Sequence, residues 1–151
     1  RVGDDNQNRQ YRAILSFNTS TLPDTSVIFS AAIRLRRVGW TGNEPDWSLM
    51  KADIRTRFFG DSLALSPSDF EAGSSKANVG GFAWGLPYGT YLEAILSDTA
   101  LPYINLTGTT QFRIRYSQDD NNDLSADYQI FYSGESASSF RPLLIIQYYV
   151  P

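Results

Sequence analysis

The sequence predicts an all-β protein: an antiparallel β-sandwich, jelly-roll-like, with about eight strands and one or two short helical turns. Apolar and polar residues alternate with a period of two over most of the chain. Clusters of Gly, Pro, Asp and Asn separate these alternating runs, as turns do between strands. Aromatic residues make up 14% of the chain and charged residues only 19%, which indicates a chain with a buried core.

The alternating runs predict the strands in chain order. The strand regions are 11–18, 31–36, 50–58, 79–84, 90–95, 112–116, 128–132 and 142–149. The last run is almost continuously apolar, which is typical of a strand buried on both faces in the centre of a sheet. Two short helical turns are predicted, at Ser68–Ala72 with Ser68 as N-cap and at Asp98–Ile104 with Asp98 as N-cap.

The length of 151 residues suits a single β-sandwich domain spanning residues 1–151. Residues 2–6 (Val-Gly-Asp-Asp-Asn) have the composition of a turn. They resemble the end of a strand that begins outside this chain. We therefore expect a fragment of a longer secreted protein, with its first strand missing or supplied from elsewhere.

The composition excludes several kinds of function. The chain has no cysteine and no histidine, which removes thiolate and Ser-His-Asp nucleophiles and the usual zinc ligands. Its net charge of −3 argues against nucleic acid as a partner. No apolar run approaches the roughly 20 residues of a membrane helix, so membrane insertion is not expected. With no acid–base pair in an apolar setting, the sequence predicts a protein that is not an enzyme.

The segment 118–127 is rich in carboxylates and amides, which are the oxygen ligands that calcium prefers. A second acidic cluster near the N-terminus would add ligands if both loops share one end of the sandwich. The predicted metal ligands are Asp119, Asp120, Asn121, Asp123, Asp127, Asp4 and Asp5. The alternative is a solvated hairpin turn in which Asp and Asn side chains bind their own backbone.

Arginine accounts for 11 of the 13 basic residues, and several arginines occupy the outward phase of strands. If these strands share a sheet, they form a positive face that suits the carboxylates of an anionic polysaccharide. The predicted ligand-binding arginines are Arg34, Arg36, Arg55, Arg57, Arg113 and Arg115. The alternative is cross-strand pairing with Asp53 and Glu93, together with protection of sheet edges.

Aromatic residues beside Gly- and Pro-rich loops are further candidates, because flat rings stack on sugar faces. The predicted sugar-stacking residues are Trp40, Trp47, Trp84 and Tyr88. The alternative is that these rings pack in the core or under loops.

Residues 11–23 (YRAILSFNTSTLP) and 28–35 (IFSAAIRL) form a motif, and residues 141–148 (RPLLIIQY) close the chain. This pattern resembles that of DNRLRE-type extracellular β-sandwich domains, which are similar to alginate-binding carbohydrate-binding modules and disaggregatase-related domains. The chain has Asn18 where the family pattern has Asp. The resemblance implies a β-sandwich fold and an extracellular setting, secreted or at the cell surface.

Two hypotheses of function follow. The first is a non-catalytic extracellular binding module for an acidic polysaccharide, stabilised by calcium. The second is a structural or adhesive subunit of a cell-surface or filamentous assembly, completed by a strand exchanged with a neighbouring domain or subunit. A hydrolase or lyase is the least favoured reading, because the acidic clusters lie among Asn-rich turns.

Overall fold

The computed structural model describes residues 1–43, 49–83 and 89–151, which form two antiparallel sheets, as the sequence predicts. Within these ranges there are ten strands and two short 3-10 helices, Pro67–Phe70 and Asp98–Tyr103. The strands are β1 (Val2–Asp4), β2 (Gln10–Tyr11), β3 (Ala13–Asn18), β4 (Val27–Thr41), β5 (Met50–Thr56), β6 (Lys76–Gly81), β7 (Tyr91–Ile95), β8 (Thr109–Tyr116), β9 (Asp127–Phe131) and β10 (Leu143–Tyr149).

The two sheets differ in size. One has six strands in the order β10-β4-β9-β1-β2, with β7 also paired to β4. The other has four strands in the order β3-β8-β5-β6. Strand β4 is 15 residues long and pairs with β10 through residues 27–34, with β7 through residues 32–36 and with β9 through residues 37–41.

The hydrophobic core lies between the sheets. Every second side chain of each strand points into it, as the period-two pattern predicts. In β4, Ile33 and Leu35 are buried in the core, while the intervening Arg34 points away from it. From the opposite sheet, Ile54 and Phe112 are fully buried against the same cluster. Each such side chain contributes about 1.5–3 kcal/mol relative to an exposed one.

All eight predicted strand regions contain strands, and residues 11–18 divide between β2 and β3. The interpretation of residues 2–6 as a turn is wrong for its first half, because Val2–Asp4 form β1 between β9 and β2. Gly3 makes this position possible. It has a φ of +140°, and a Cβ there would lie 2.1 Å from the carbonyl oxygen of Asp127.

The position predicted for the last strand is also wrong. Strand β10 lies at one end of the six-stranded sheet rather than in its centre, and Tyr148 and Tyr149 are 40% and 54% exposed. Leu144 and Ile146 pack against the core from one face. An apolar run therefore indicates a strand here, but it does not determine where in the sheet the strand lies.

Both predicted helical turns form as 3-10 helices, each with an N-cap different from the predicted residue. Ser66 rather than Ser68 caps the first, and its backbone N–H donates to Asp69 Oδ2 over 2.9 Å. Ser97 rather than Asp98 caps the second. In the described ranges, no helix has both the length and the apolar character needed to cross a membrane.

Candidate functional site

The predicted arginine face is divided between the two sheets. Arg34 and Arg36 lie on β4 in the six-stranded sheet, whereas Arg55, Arg113 and Arg115 lie on β5 and β8 in the four-stranded sheet. The expectation of one positive face required these strands to share a sheet. Only β5 and β8 meet that condition, so the arginines form two separate groups.

Arg113 and Arg115 share one buried carboxylate on the outer face of the four-stranded sheet. Arg113 Nη2 and Arg115 Nε donate to Asp53 Oδ2 over 3.0 and 2.9 Å. Arg113 also donates to the carbonyl oxygens of Phe70 and Ala72 over 3.1 and 2.8 Å. The segment that contains the first 3-10 helix therefore covers Arg113, and the pairing alternative holds for both arginines.

The arginines of β4 are also engaged. Arg34 Nε donates to Glu93, which lies directly opposite it on β7. The Arg36 guanidinium lies 4.3 Å from the ring centroid of Phe140. Because Arg34 and Glu93 are both substantially exposed, their ion pair contributes little to stability.

Arg55 and Arg57 lie at the end of β5. Arg55 Nε donates to the carbonyl oxygen of Phe58 over 3.1 Å, which ties the side chain to the following turn. Arg57 follows the last residue of β5, has a φ of +73° and is exposed. Its predicted position in the outward phase of a strand is therefore wrong.

Of the predicted aromatic residues, the structure describes Trp40. It lies at the end of β4, is 39% exposed and has the Arg37 guanidinium 5.2 Å from its ring centroid. Trp47, Trp84 and Tyr88 lie outside the described residues. The sugar-stacking prediction for these four residues stays a prediction.

Two cavities on the outer face of the four-stranded sheet adjoin at shared lining residues, and together we call them the arginine groove. Their volumes are about 360 and 320 Å³, and both are lined by Arg12 and Arg113. The first has an apolar wall, and the second a polar wall. The remaining lining residues are Ile14, Leu65, Ser66, Pro67 and Phe70 on the apolar side, and Gln10, Glu71, Arg115, Tyr116, Ser117 and Asp119 on the polar side.

Arg12 links the two halves of the arginine groove. Its Nη1 donates to the Phe70 carbonyl oxygen over 2.6 Å, and its guanidinium lies 4.0 Å from the Phe70 ring centroid. Its Nη2 lies 3.3 Å from Glu71 Oε1, a carboxylate that is 77% exposed. Burial lowers the pKa of Arg12, Glu71 raises it, and the nearby charges of Arg113 and Arg115 lower it.

Arg12 is a candidate residue that the sequence reasoning missed. The signal was present, because Arg12 has the same outward phase as Ile14, and Ile14 is directly opposite Arg113 on β8. Arg12 is the one arginine in its alternating run, whereas the predicted arginines occur in pairs two residues apart. The pairing of β3 with β8 is what brings it beside the others.

Part of the predicted acidic cluster does come together at one end of the six-stranded sheet. Asp4 and Asp127 are directly opposite each other on β1 and β9, and both are buried. Burial raises the pKa of Asp4 to about 6, and the charges of Asp127, Asp120 and Asp123 contribute to the increase. The Asp127 backbone opposes this increase, but no described group donates a hydrogen bond of normal geometry to either carboxylate oxygen of Asp4.

The side chain of Asp127 joins two loops. Its Oδ1 accepts a hydrogen bond from the backbone N–H of Asn43 over 2.6 Å. Within the described ranges, its Oδ2 has one long contact of 3.5 Å, from Asn121 Nδ2. The same amide nitrogen donates to Asp123 Oδ2 over 3.0 Å, and the Leu124 backbone N–H donates to Asn8 Oδ1 over 3.0 Å, so the segment 120–126 reaches over this end of the sheet to the turn between β1 and β2.

Two predicted metal ligands are placed elsewhere. Asp5 accepts hydrogen bonds from Arg9 Nε and from the backbone N–H groups of Gln7 and Arg9 over 2.8–3.0 Å. The Arg9 side chain, above all, lowers the pKa of Asp5 to about 2. Asp5 therefore stabilises a turn, as the alternative reading expected, while Asp119 lines the arginine groove.

Across residues 1–43, 49–83 and 89–151, no three carboxylates converge closely enough to hold a metal ion as a group. Compared with known proteins, the chain matches no family model and no curated protein sequence. The resemblance to DNRLRE-type domains therefore stays a prediction.

Proposed function

We propose that the protein is a non-catalytic, secreted or cell-surface module that binds an acidic polysaccharide in the arginine groove. The observation that supports this most is that a cavity with an apolar wall and a cavity with a polar wall meet at the guanidinium groups of Arg12 and Arg113. Acidic sugars offer the complementary surface, with a carboxylate on a ring whose faces are largely apolar.

Arg12 is the group we expect to contact a ligand carboxylate. Within the described part of the chain, Arg12 directs three of its five N–H donors at Gln10, Phe70 and Glu71, which leaves two for a ligand. Its carboxylate partner Glu71 is mostly exposed, so the ion pair between Arg12 and Glu71 contributes little to stability. The carboxylate of a ligand can therefore take the place of Glu71. A ligand carboxylate replaces Glu71 at low cost and relieves the repulsion among Arg12, Arg113 and Arg115.

The apolar side of the arginine groove supports contact with a sugar ring. Leu65 is 77% exposed there. Phe70 is held in position by the Arg12 guanidinium that stacks on its ring. A chain of uronic acids that places its carboxylate at Arg12 has room to lay a ring face against this wall.

A glycan array that includes alginate and pectin, followed by calorimetry with the best oligosaccharide, tests the proposal. We expect Arg12→Gln to weaken binding at least about tenfold, because a charge-assisted hydrogen bond contributes about 1.5–3 kcal/mol. We expect Glu71→Gln to strengthen binding, because it removes the competing carboxylate.

The pair Arg34 and Glu93 provides matched controls on the other sheet. Arg34→Gln and Glu93→Gln change the net charge by the same amounts as the two groove variants. They leave the affinity unchanged if the arginine groove is the site. Equal effects of Arg12→Gln and Arg34→Gln, or no binding to any acidic polymer, would refute the proposal.

A second candidate function is a structural or adhesive subunit that exchanges a strand with a neighbour. The observation that favours it is the open side between β3 and β10, each at the end of its sheet. Two cavities of about 370 and 290 Å³ lie along this side, and they expose Leu15, Phe17, Leu144 and Ile146. An apolar strand edge of this kind is a template for pairing.

Light scattering over a concentration series tests this alternative. If β10 recruits a strand, the protein forms dimers or larger species, and Tyr148→Lys makes it monomeric. Ile95→Lys is the matched control, because Ile95 is an exposed apolar residue on β7. A strictly monomeric protein at every concentration would argue against strand exchange.

A further inference from the structure

The end of the six-stranded sheet contains buried polar atoms that lack partners. Asp4 and Gln129 are both fully buried. Among the described residues, no group forms a hydrogen bond of normal geometry with either oxygen of the Asp4 carboxylate or with the oxygen or the nitrogen of the Gln129 amide. Buried polar atoms are almost always hydrogen-bonded, so four such atoms in two side chains require an explanation.

These two side chains lie on the same face of the sheet. Asp4 is opposite Asp127, and Val2 is opposite Gln129. Because residues two apart on a strand point to the same face, the side chains of all four residues lie on one face of the sheet. The buried face thus has a carboxylate pair, Asp4 and Asp127, with an amide two residues further along β9. Asp127 adds an oxygen, Oδ2, whose one hydrogen bond to the described part of the chain is 3.5 Å long.

We propose that Asp4, Asp127 and Gln129 form a calcium-binding site beneath the segment 120–126. Calcium accepts carboxylate, amide and backbone carbonyl oxygens together with water, so two carboxylates are sufficient when neutral oxygens complete the shell. The ion neutralises the unpaired charge of Asp4, which otherwise faces the negative charges of Asp127, Asp120 and Asp123. The chain has no histidine or cysteine, which favours an oxygen-binding metal over zinc.

The small number of carboxylates indicates a modest affinity, with a Kd of roughly 10⁻⁴–10⁻³ M, as in extracellular modules. The test uses calcium alone, with magnesium at the same concentration as the control for ionic strength. At roughly 10 mM free calcium, we expect the melting midpoint to rise by about 3–10 °C above that in chelator. An unchanged midpoint, or an equal effect of magnesium, would overturn the proposal.

Asp4→Asn separates a metal site from a merely structural carboxylate. We expect it to lower the calcium affinity at least about tenfold. In chelator, it raises the melting midpoint above that of the unsubstituted protein, because it removes a buried unpaired charge. In calcium, Asp4→Asn has a lower melting midpoint than the unsubstituted protein, because it binds the ion more weakly. If Asp4→Asn shifts both midpoints equally, Asp4 is not a ligand.

Two further variants keep the test decisive if Asp4→Asn does not fold. Asp123→Asn removes an exposed loop charge that acts on Asp4, and we therefore expect it to weaken terbium binding. Terbium luminescence is sensitised by Tyr128, which lies between Asp127 and Gln129 on β9, and by Trp40, which is opposite Gln129 on β4. Asp119→Asn is the matched control in the same loop, and we expect it to change terbium affinity less than about twofold. Equal effects of both variants would mean that the loop attracts cations only through its overall charge.

Discussion

Replacing Asp53 by Asn removes the charge that holds two arginines on the outer face of the four-stranded sheet. Burial alone raises the pKa of Asp53, but hydrogen bonds from Arg115, the Asn78 backbone and Arg113 outweigh it, so the pKa lies below its ordinary value. The carboxylate is 1% exposed, and the side chains of Arg113 and Arg115 are 8% and 18% exposed. The pairs are therefore little screened by solvent.

Breaking a buried ion pair by removing one partner costs about 3–5 kcal/mol, because the remaining charge is left uncompensated. Arg113 keeps its bonds to the carbonyl oxygens of Phe70 and Ala72, and Arg115 keeps some access to water. We therefore expect Asp53→Asn to lower the free energy of unfolding by about 3 kcal/mol, at the lower end of that range.

Urea denaturation followed by tryptophan fluorescence measures this loss. Glu93→Gln is the control, because it breaks an exposed pair with Arg34 and is expected to cost less than about 1 kcal/mol. If Asp53→Asn also costs less than about 1 kcal/mol, the arginines are not held by Asp53 in the way described. In that case Arg113 and Arg115 become available to a ligand.

Three further predictions concern other parts of the fold. Folding raises the pKa of Asp4 from 3.8 to about 6, so the folded protein binds this proton more tightly than the unfolded chain does. In chelator, we therefore expect the free energy of unfolding to fall by up to about 3 kcal/mol as the pH rises from 4 to 6. Asp4→Asn is expected to lack this pH-dependent loss in the same acid titration. Gly42→Ala is expected to lower the free energy of unfolding by at least about 2 kcal/mol in thermal melts, since Gly42 has a φ of +72° and a Cβ would lie 2.0 Å from a backbone oxygen. Gly73→Ala is the control and is expected to leave the free energy of unfolding unchanged, since a Cβ there would have nothing within 4 Å. Phe112→Ala in the core is expected to lower the free energy of unfolding in urea by about 3–5 kcal/mol. Phe29→Ala is expected to lower it by less than about 1 kcal/mol, because Phe29 is 55% exposed. Similar losses for the two variants would contradict the assigned burial.

The strands could be predicted from the sequence because burial of one face imposes a period of two on each of them. Ile33, Leu35 and Phe112 are buried in the phase that the alternation predicts. The order of strands within a sheet has no such local signature. Strand β10 shows this, since its apolar run is compatible with a central position, yet Tyr149 is more than half exposed at the end of the sheet.

The candidate sites were predictable only in part, because they depend on which strands pair. Alternation gives the outward phase of Arg34 and Arg113, but not that they belong to different sheets. Arg12 becomes a groove residue only through the pairing of β3 with β8. Similarly, Asp4 and Asp5 are adjacent in an acidic turn-like segment, but only Asp4 lies in a strand opposite Asp127.

The length of β4 has a consequence for how the protein opens. Its 15 residues form ladders with β10, β7 and β9, so separating any one of these partners leaves β4 held by the others. Such a strand belongs to the last unit to exchange its amide protons, whereas the two-residue β2 exchanges early. Hydrogen–deuterium exchange would then show the strongest amide protection along β4, while the strands paired with it lose their protection in separate steps.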